Sequence, residues 1–376
     1  MRFNPSKEAI WIDTQETLQE ALPALSAGPY LAVDTESNSL YAYREQVCLI
    51  QCSTEDEDYL IDGMAGLELT ALGEIFADES IQKIFHAAEY DIICLRRDYD
   101  FQFANLFDTM QAARILGFQQ LGLSDMLEGQ FRLQPVKSFQ KANWGKRPLS
   151  DEMKQYARVD THYLIPLREK MAVQLEKNGL MALAQEDFQR LCASENNQHD
   201  LSSYTQIRGY HKLSPRELAV LDALCEYRDQ KAKQLDRPHF KVIGSRALLA
   251  IAQDMPESAA ELARVKDLSP RLSNRFGKAL LAAVQKGKKA PPIFPEKHKR
   301  PSNAYIKRID ALKEWRKKQG NQMGVQSDII LPRDILEAIA GIHPQTMESL
   351  KDVMADVPWR YSHFGQQILD MINKGD

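Results

Sequence analysis

The chain has 376 residues, of which 44% are hydrophobic and 27% charged, with a formal net charge of −4 at pH 7. That length implies two or three globular domains, and no apolar run approaches the roughly 18 residues of a membrane span, so a membrane partner is not expected. The charge is divided: 18 basic and 32 acidic residues lie up to Ile207 and 30 basic and 20 acidic beyond it, or −14 and +10, and the basic half suits a polyphosphate ligand. The start, Met1-Arg2-Phe3-Asn4-Pro5, lacks the apolar core of a signal peptide, which makes the cytosol the expected compartment. Five scattered cysteines read as reduced thiols, with Cys48 and Cys52 on one face of a strand.

Taken in chain order, apolar runs at Tyr30–Val33, Val47–Cys52, Tyr59–Ile61 and Lys83–His86 predict strands, the first three able to form a meander. Helical patterns lie between them at Gly66–Phe76 and Asp91–Arg97, and a long amphipathic stretch runs from Asp151 to Glu176. A mixed sheet flanked by helices follows. Before the long stretch, Lys137, Lys141, Trp144, Lys146 and Arg147 combine basic and aromatic groups suited to holding a single strand by phosphate contact and base stacking; its bland alternative is a surface loop with one anchoring tryptophan.

The second half contains a repeat. Asp222-Ala223-Leu224-Cys225-Glu226-Tyr227-Arg228 recurs as Asp310-Ala311-Leu312-Lys313-Glu314-Trp315-Arg316, and the register holds without a gap through Pro256 and Pro344, Leu262 and Leu350, Phe276-Gly277 and Phe364-Gly365, to Gly287 and Gly375. Two copies of one small helical domain are expected. The first copy is rich in cations at Lys231, Lys233, Arg237, Lys241 and Arg246; the second offers Arg316, Lys317 and Lys318 and then turns acidic through Asp328 and Asp334.

Four carboxylates stand in or beside apolar stretches, where a charge needs a partner: Asp34 and Glu36, Asp91, and Asp160. If the first strand continues through Glu36, its period of two puts Asp34 and Glu36 on one face. Tyr156 and Asp160, four apart, share a face of a helix. An oxygen-only ligand set suits hard cations such as Mg²⁺ or Mn²⁺, and four carboxylates can hold two.

The order Asp-x-Glu, Asp, Tyr-x-x-x-Asp resembles the DEDD exonuclease superfamily, tyrosine subtype, and the flanking sequence is similar to ribonuclease D. The resemblance rests on Leu40-Tyr41-Ala42-Tyr43-Arg44-Glu45-Gln46-Val47-Cys48-Leu49-Ile50-Gln51, Phe85-His86-Ala87-Ala88-Glu89-Tyr90-Asp91 and Leu106-Phe107-Asp108-Thr109, and covers about 190 residues. The histidine subtype is excluded, because the position five before Asp160 is Gln155; Ser37 departs from the aromatic residue that follows the Asp-Thr-Glu in many relatives.

The resemblance implies an α/β ribonuclease H-like nuclease domain followed by two all-α helical bundles that resemble the HRDC module. The boundaries are 1–193 for the nuclease, 194–207 for a linker, 208–289 for the first bundle, 290–304 for an extended Pro/Lys-rich linker and 305–376 for the second. It implies two-metal hydrolysis with ions about 3.5–4 Å apart, releasing nucleoside 5′-monophosphates from a 3′ end. Asp34 would bridge both ions, Glu36 and Asp160 would bind the ion carrying the attacking water, Asp91 would serve the second, and Tyr156 would orient the water. Thr35 lies between the first two ligands and joins the candidate nucleic-acid contacts. Transfer RNA precursors and other structured RNA 3′ ends are the implied substrates, with protein partners for the HRDC copies also possible in the family. A DNA-directed 3′→5′ exonuclease and a non-catalytic nucleic-acid adaptor are the alternatives, since no motif reads a 2′-hydroxyl. Truncation after Asn197 is expected to spare the chemistry while weakening the grip on folded RNA.

Overall fold

The computed structural model describes residues 8–133, 138–193, 203–295 and 300–373. Lys137, Gly375, most of the first linker and residues 296–299 of the second lie outside the described residues. In chain order the first part runs β1 (Ile10–Ile12), α1 (Gln15–Leu25), β2 (Tyr30–Ser37), β3 (Val47–Ser53), β4 (Asp58–Asp62), α2 (Thr70–Ala77), β5 (Gln82–Phe85), α3 (Glu89–Tyr99), β6 (Leu106–Asp108), α4 (Thr109–Ile115), α5 (Leu123–Phe131), α6 (Asp151–His162), α7 (Leu164–Lys177) and α8 (Met181–Ala193). The first helical module has α9 (Pro215–Leu235), α10 (His239–Val242), α11 (Ser245–Asp254), α12 (Ala259–Leu262) and α13 (Pro270–Lys289). The second has α14 (Asn303–Met323), α15 (Ser327–Ile330), α16 (Arg333–Ile342), α17 (Met347–Val353) and α18 (Pro358–Asn373). No helix among the described residues is long and apolar enough to cross a membrane.

The six strands form one mixed sheet in the order β1-β4-β3-β2-β5-β6. β2, β3 and β4 make the antiparallel meander, and β2 pairs in parallel with β5 on its other edge. Every residue of β3 is buried, as a central strand covered on both faces requires. The pairing with β5 uses only Tyr30, Leu31 and Ala32, so the half of β2 that carries Asp34 and Glu36 runs on past that edge. This is the point where the sheet switches from antiparallel to parallel.

Two expectations need correction, and two further strands complete the sheet. The stretch from Asp151 to Glu176 is two helices, broken at Tyr163. Pro166 is the reason: it has no N–H to give to the carbonyl of His162, and its ring crowds that carbonyl. The helix expected from Gly66 begins at Thr70, because Gly66 takes a positive φ of 71°. β1 and β6, three residues each, complete the two edges and carry too little pattern to stand out as strands in the sequence.

The repeat is structural as well as sequential. Each helix of the first module starts 88 residues before its counterpart in the second, at 215 and 303, 239 and 327, 245 and 333, 259 and 347, and 270 and 358. Ser214 and Ser302 cap the first helices with their hydroxyls, Ser258 and Thr346 cap the fourth, and Met255 and His343 take the same left-handed conformation.

The chain divides into two compact units. One joins the sheet and its helices to the second module (residues 300–376); the other is the first module with the segment 38–46. Within the first unit, Arg360 of α18 is buried and donates to Glu186 and Asp187 of α8 and to the carbonyl of Ile329. Asp328 and Asp334, the acidic turn of the second copy, pair with Arg114 of α4 and Arg190 of α8. Within the second unit, the Tyr43 hydroxyl donates to Asp229 at 2.7 Å and the Lys241 ammonium lies 3.9 Å from the Tyr41 ring centre.

Candidate active site

Asp34 and Glu36 project from β2 toward the face that α6 covers, and α6 is fixed there by a buried polar network. Arg158 of α6 donates to Asp58 of β4, both nearly inaccessible. The Nδ1 atom of His162 lies 2.9 Å from the same carboxylate. The Ser53 hydroxyl of β3 donates to Asp58 at 2.6 Å and lies 2.7 Å from the Thr161 hydroxyl. Paired and hydrogen-bonded in this way, the buried charges are satisfied and the helix has one register. That register brings Tyr156 and Asp160 over the end of β2.

Asp91 arrives from the other side, in the first turn of α3. The β5–α3 connection that delivers it is held by Asp108, whose carboxylate accepts from the backbone N–H groups of Ala87, Ala88 and Gln111 at 3.2, 2.7 and 2.9 Å. Those bonds stabilise the left-handed φ of 67° at Ala87. Thr109 adds a hydrogen bond to the carbonyl of Phe85 at 3.0 Å and lies 2.9 Å from His86 Nδ1. Asp91 itself accepts from the Thr35 hydroxyl. Thr35 therefore orients a carboxylate, and its hydroxyl is committed inside the protein.

The four carboxylates act on one another. Burial raises all four pKa values, and Asp160 adds to the rise at Asp34, while Asp34, Asp160 and Asp91 add to that at Glu36, which reaches about 10. Asp91 is raised by burial and by Asp34, and Asp160 rises to about 7 through burial and Asp91. Asp34, Glu36 and Asp160 nonetheless keep part of their surface open to solvent. Such a cluster is stable in its charged form only with positive charge between its members. The donor set, all carboxylate oxygen, fits a hard divalent cation. As the side chains stand, no three His, Cys, Asp or Glu groups among the described residues are close enough together to hold an ion.

Tyr156 is held by its ring. Trp144 lies beneath it with ring centres 6.0 Å apart, and Phe139 meets it edge-on at 5.8 Å. Burial, then Asp160, Glu36 and Asp34, push its hydroxyl well above the ordinary phenol value. The group is a phenol and a hydrogen-bond donor at any physiological pH.

Three candidate nucleic-acid contacts are committed within the protein, Thr35 among them. Trp144 is 1% exposed, in a cluster with Cys48, Leu49, Leu60, Leu149 and Ala157, so no base can stack on it. Arg147 spends its guanidinium on Asp62 at 2.7 Å and on the carbonyls of Trp144, Lys146 and Cys48. Lys141 is exposed. In the first module Lys233, Arg237, Lys241 and Arg246 are exposed and Lys231 is half-buried, 3.2 Å from Gln234. The sequence reading missed Asp58, Arg158 and Asp108; the partners of Asp58 lie 100 and 104 residues away.

A 3′–5′ exonuclease family model matches residues 9–176, and the HRDC domain model matches twice, at 217–284 and 306–372. "Protein RRP6-like 1" of Arabidopsis thaliana is 31% identical over 75% of this chain and 47% of its own, so the chain spans about half the length of that relative. "Ribonuclease D" of Bartonella henselae is 30% identical over 96% of this chain and 89% of its own. The crystal structure of Escherichia coli RNase D, described as an exoribonuclease involved in structured RNA processing, superposes with a TM-score of 0.72 at 24% identity, covering 98% of this chain and 99% of that one, and shares the fold.

Proposed function

The chain belongs to the ribonuclease D family, and from that premise we propose that it is a 3′→5′ exoribonuclease releasing nucleoside 5′-monophosphates from RNA 3′ ends, transfer RNA precursors and other structured RNAs among them. The observation that carries the reading is the cluster in which Asp34, Glu36, Asp91 and Asp160 act on one another beside the Tyr156 phenol. Asp34, Glu36, Asp91 and Asp160 are the groups that would hold two divalent ions, Mg²⁺ or Mn²⁺. Bound there, the ions would supply an acidified water and charge stabilisation at the phosphate.

The protein's own part is orientation. Thr35 holds Asp91, and the Asp58–Arg158 pair sets the helix that carries Tyr156 and Asp160. The Tyr156 hydroxyl, kept protonated by burial and its acidic neighbours, donates and so aligns a nucleophilic water without taking its proton. The cytosol, where five thiols stay reduced, is the proposed place of action.

End-labelled RNA and DNA of one sequence, each with a free or a blocked 3′ hydroxyl, test the reading. RNA shortened from a free 3′ end, with mononucleotides released and Asp34→Asn inactive, is the expected result. Preference for DNA would make the chain a DNA-directed exonuclease, and binding without hydrolysis would make it an adaptor.

A further inference from the structure

Gln51 is 0% exposed, and neither its amide nitrogen nor its amide oxygen has a hydrogen-bond partner among the described residues. It stands at the centre of β3, paired across the antiparallel ladder with Asp34 on one side and Leu60 on the other. Its face is fixed by its neighbours two positions away. Leu49 packs with Trp144 and Ala157, and Ser53 lies against Thr161, so Leu49, Gln51 and Ser53 all point toward α6. Asp34 points the same way from β2.

A carboxamide carries two N–H donors and an acceptor oxygen, and leaving all of them buried and unpaired opposes folding. Packing alone does not call for it: Leu49 and Leu60, beside it on the same face, are apolar. The polar side chain directly across the ladder is Asp34, and paired residues in an antiparallel sheet have Cβ atoms about 4.5–5.5 Å apart. A Gln side chain is long enough to span that separation, so an amide N–H of Gln51 is within reach of the Asp34 carboxylate.

We propose that Gln51 is a positioning residue for the carboxylate site, its amide N–H donating to the Asp34 carboxylate and fixing how that carboxylate meets a metal ion. The inference rests on the metal-dependent reading of the site. A bond of this kind orients a ligating oxygen, and its removal weakens metal affinity by about 10–100-fold in comparable sites.

The test uses the full-length chain with Gln51→Met, which keeps length and removes both polar atoms, and Gln51→Leu as a second packing variant. Three quantities are measured: thermal unfolding without metal, affinity for Mn²⁺ alone by calorimetry, and single-turnover hydrolysis with KM determined separately. The metal-free variants should melt at or above wild type, because the buried Gln51 amide is unpaired without metal and its bond to Asp34 forms together with the ion. Mn²⁺ affinity should fall about 10-fold or more, with kcat reduced in parallel and KM unchanged. Wild-type Mn²⁺ affinity in both variants overturns the inference and leaves the exonuclease reading standing. A lower metal-free melting temperature in both also overturns it, since that is what a structural hydrogen bond would produce. A wild-type chain that binds Mn²⁺ in a Gln51-dependent way yet leaves RNA 3′ ends intact keeps the inference and removes the exonuclease reading.

Discussion

The guanidinium of Arg360, in the second helical module, is buried against the carboxylates of Glu186 and Asp187 in the last helix of the nuclease part. The Glu186 carboxylate also accepts from the backbone N–H of Trp359 at 2.6 Å, which ties it to the start of α18. Removing one partner of a buried pair leaves a charge uncompensated, at a cost of about 3–5 kcal/mol. Arg360→Ala should lower unfolding stability by that amount in urea titrations. A decrease below about 1 kcal/mol, the range of exposed pairs, would mean that the module is only lightly docked. The same pairing revises the truncation experiment: a chain ending at Asn197 exposes Glu186 and Asp187, and should be less stable as well as weaker in RNA binding.

The phenol of Tyr156 supplies the second prediction. Tyr156→Phe keeps the ring that packs on Trp144 and Phe139 and removes the hydroxyl alone. Single-turnover hydrolysis should fall on the order of 10²-fold or more, the range for positioned proton-handling groups. RNA affinity and melting temperature should stay near wild type. An unchanged chemical step would reduce Tyr156 to packing.

A third concerns acid stability. Burial pushes the Asp58 carboxyl up, but hydrogen bonds from His162, Ser53 and Arg158 outweigh it and hold the group below its ordinary 3.8. A carboxylate with a depressed folded value stabilises the fold fully above the unfolded value, and that stabilisation is lost as pH falls through the folded value. Unfolding free energy should therefore drop below about pH 4. In Asp58→Asn that part of the acid limb should flatten, and stability at pH 7 should fall by about 3–5 kcal/mol as Arg158 loses its partner. An acid limb of unchanged slope would show that other carboxylates govern it.

What the sequence revealed follows from the range of the interactions involved. The period of two through Asp34 and Glu36, the four-residue step from Tyr156 to Asp160 and the repeat are local or periodic, and each is legible without a structure. Trp144 could be read as a stacking surface or as the anchor of a loop; its ring faces inward onto Tyr156, as the anchor does. Arg147 looked free because its partner Asp62 is 85 residues away. The acidic turn at Asp328 and Asp334 read as a weaker nucleic-acid surface; in the fold those carboxylates meet Arg114 and Arg190. Gln51 sat unnoticed inside an apolar strand, since a single polar residue has meaning only through the strand beside it.

The two modules differ in how their charges are placed, which gives the last prediction. In the second copy Arg316 is turned inward to the carbonyl of Leu331 at 2.9 Å, and the acidic turn is spent on docking. In the first, Lys233, Arg237, Lys241 and Arg246 are exposed, with Lys241 resting on Tyr41. Replacing Lys233, Arg237 and Arg246 together by Gln should weaken binding to a transfer RNA precursor. It should also make the dependence of log affinity on log salt shallower, by about 0.7–0.9 for each phosphate that is no longer neutralised. Hydrolysis of a short saturating oligonucleotide should be unchanged, because none of the three belongs to the carboxylate cluster. Equal affinity and equal slope for variant and wild type would turn this face over to protein binding and leave the grip on folded RNA to other residues.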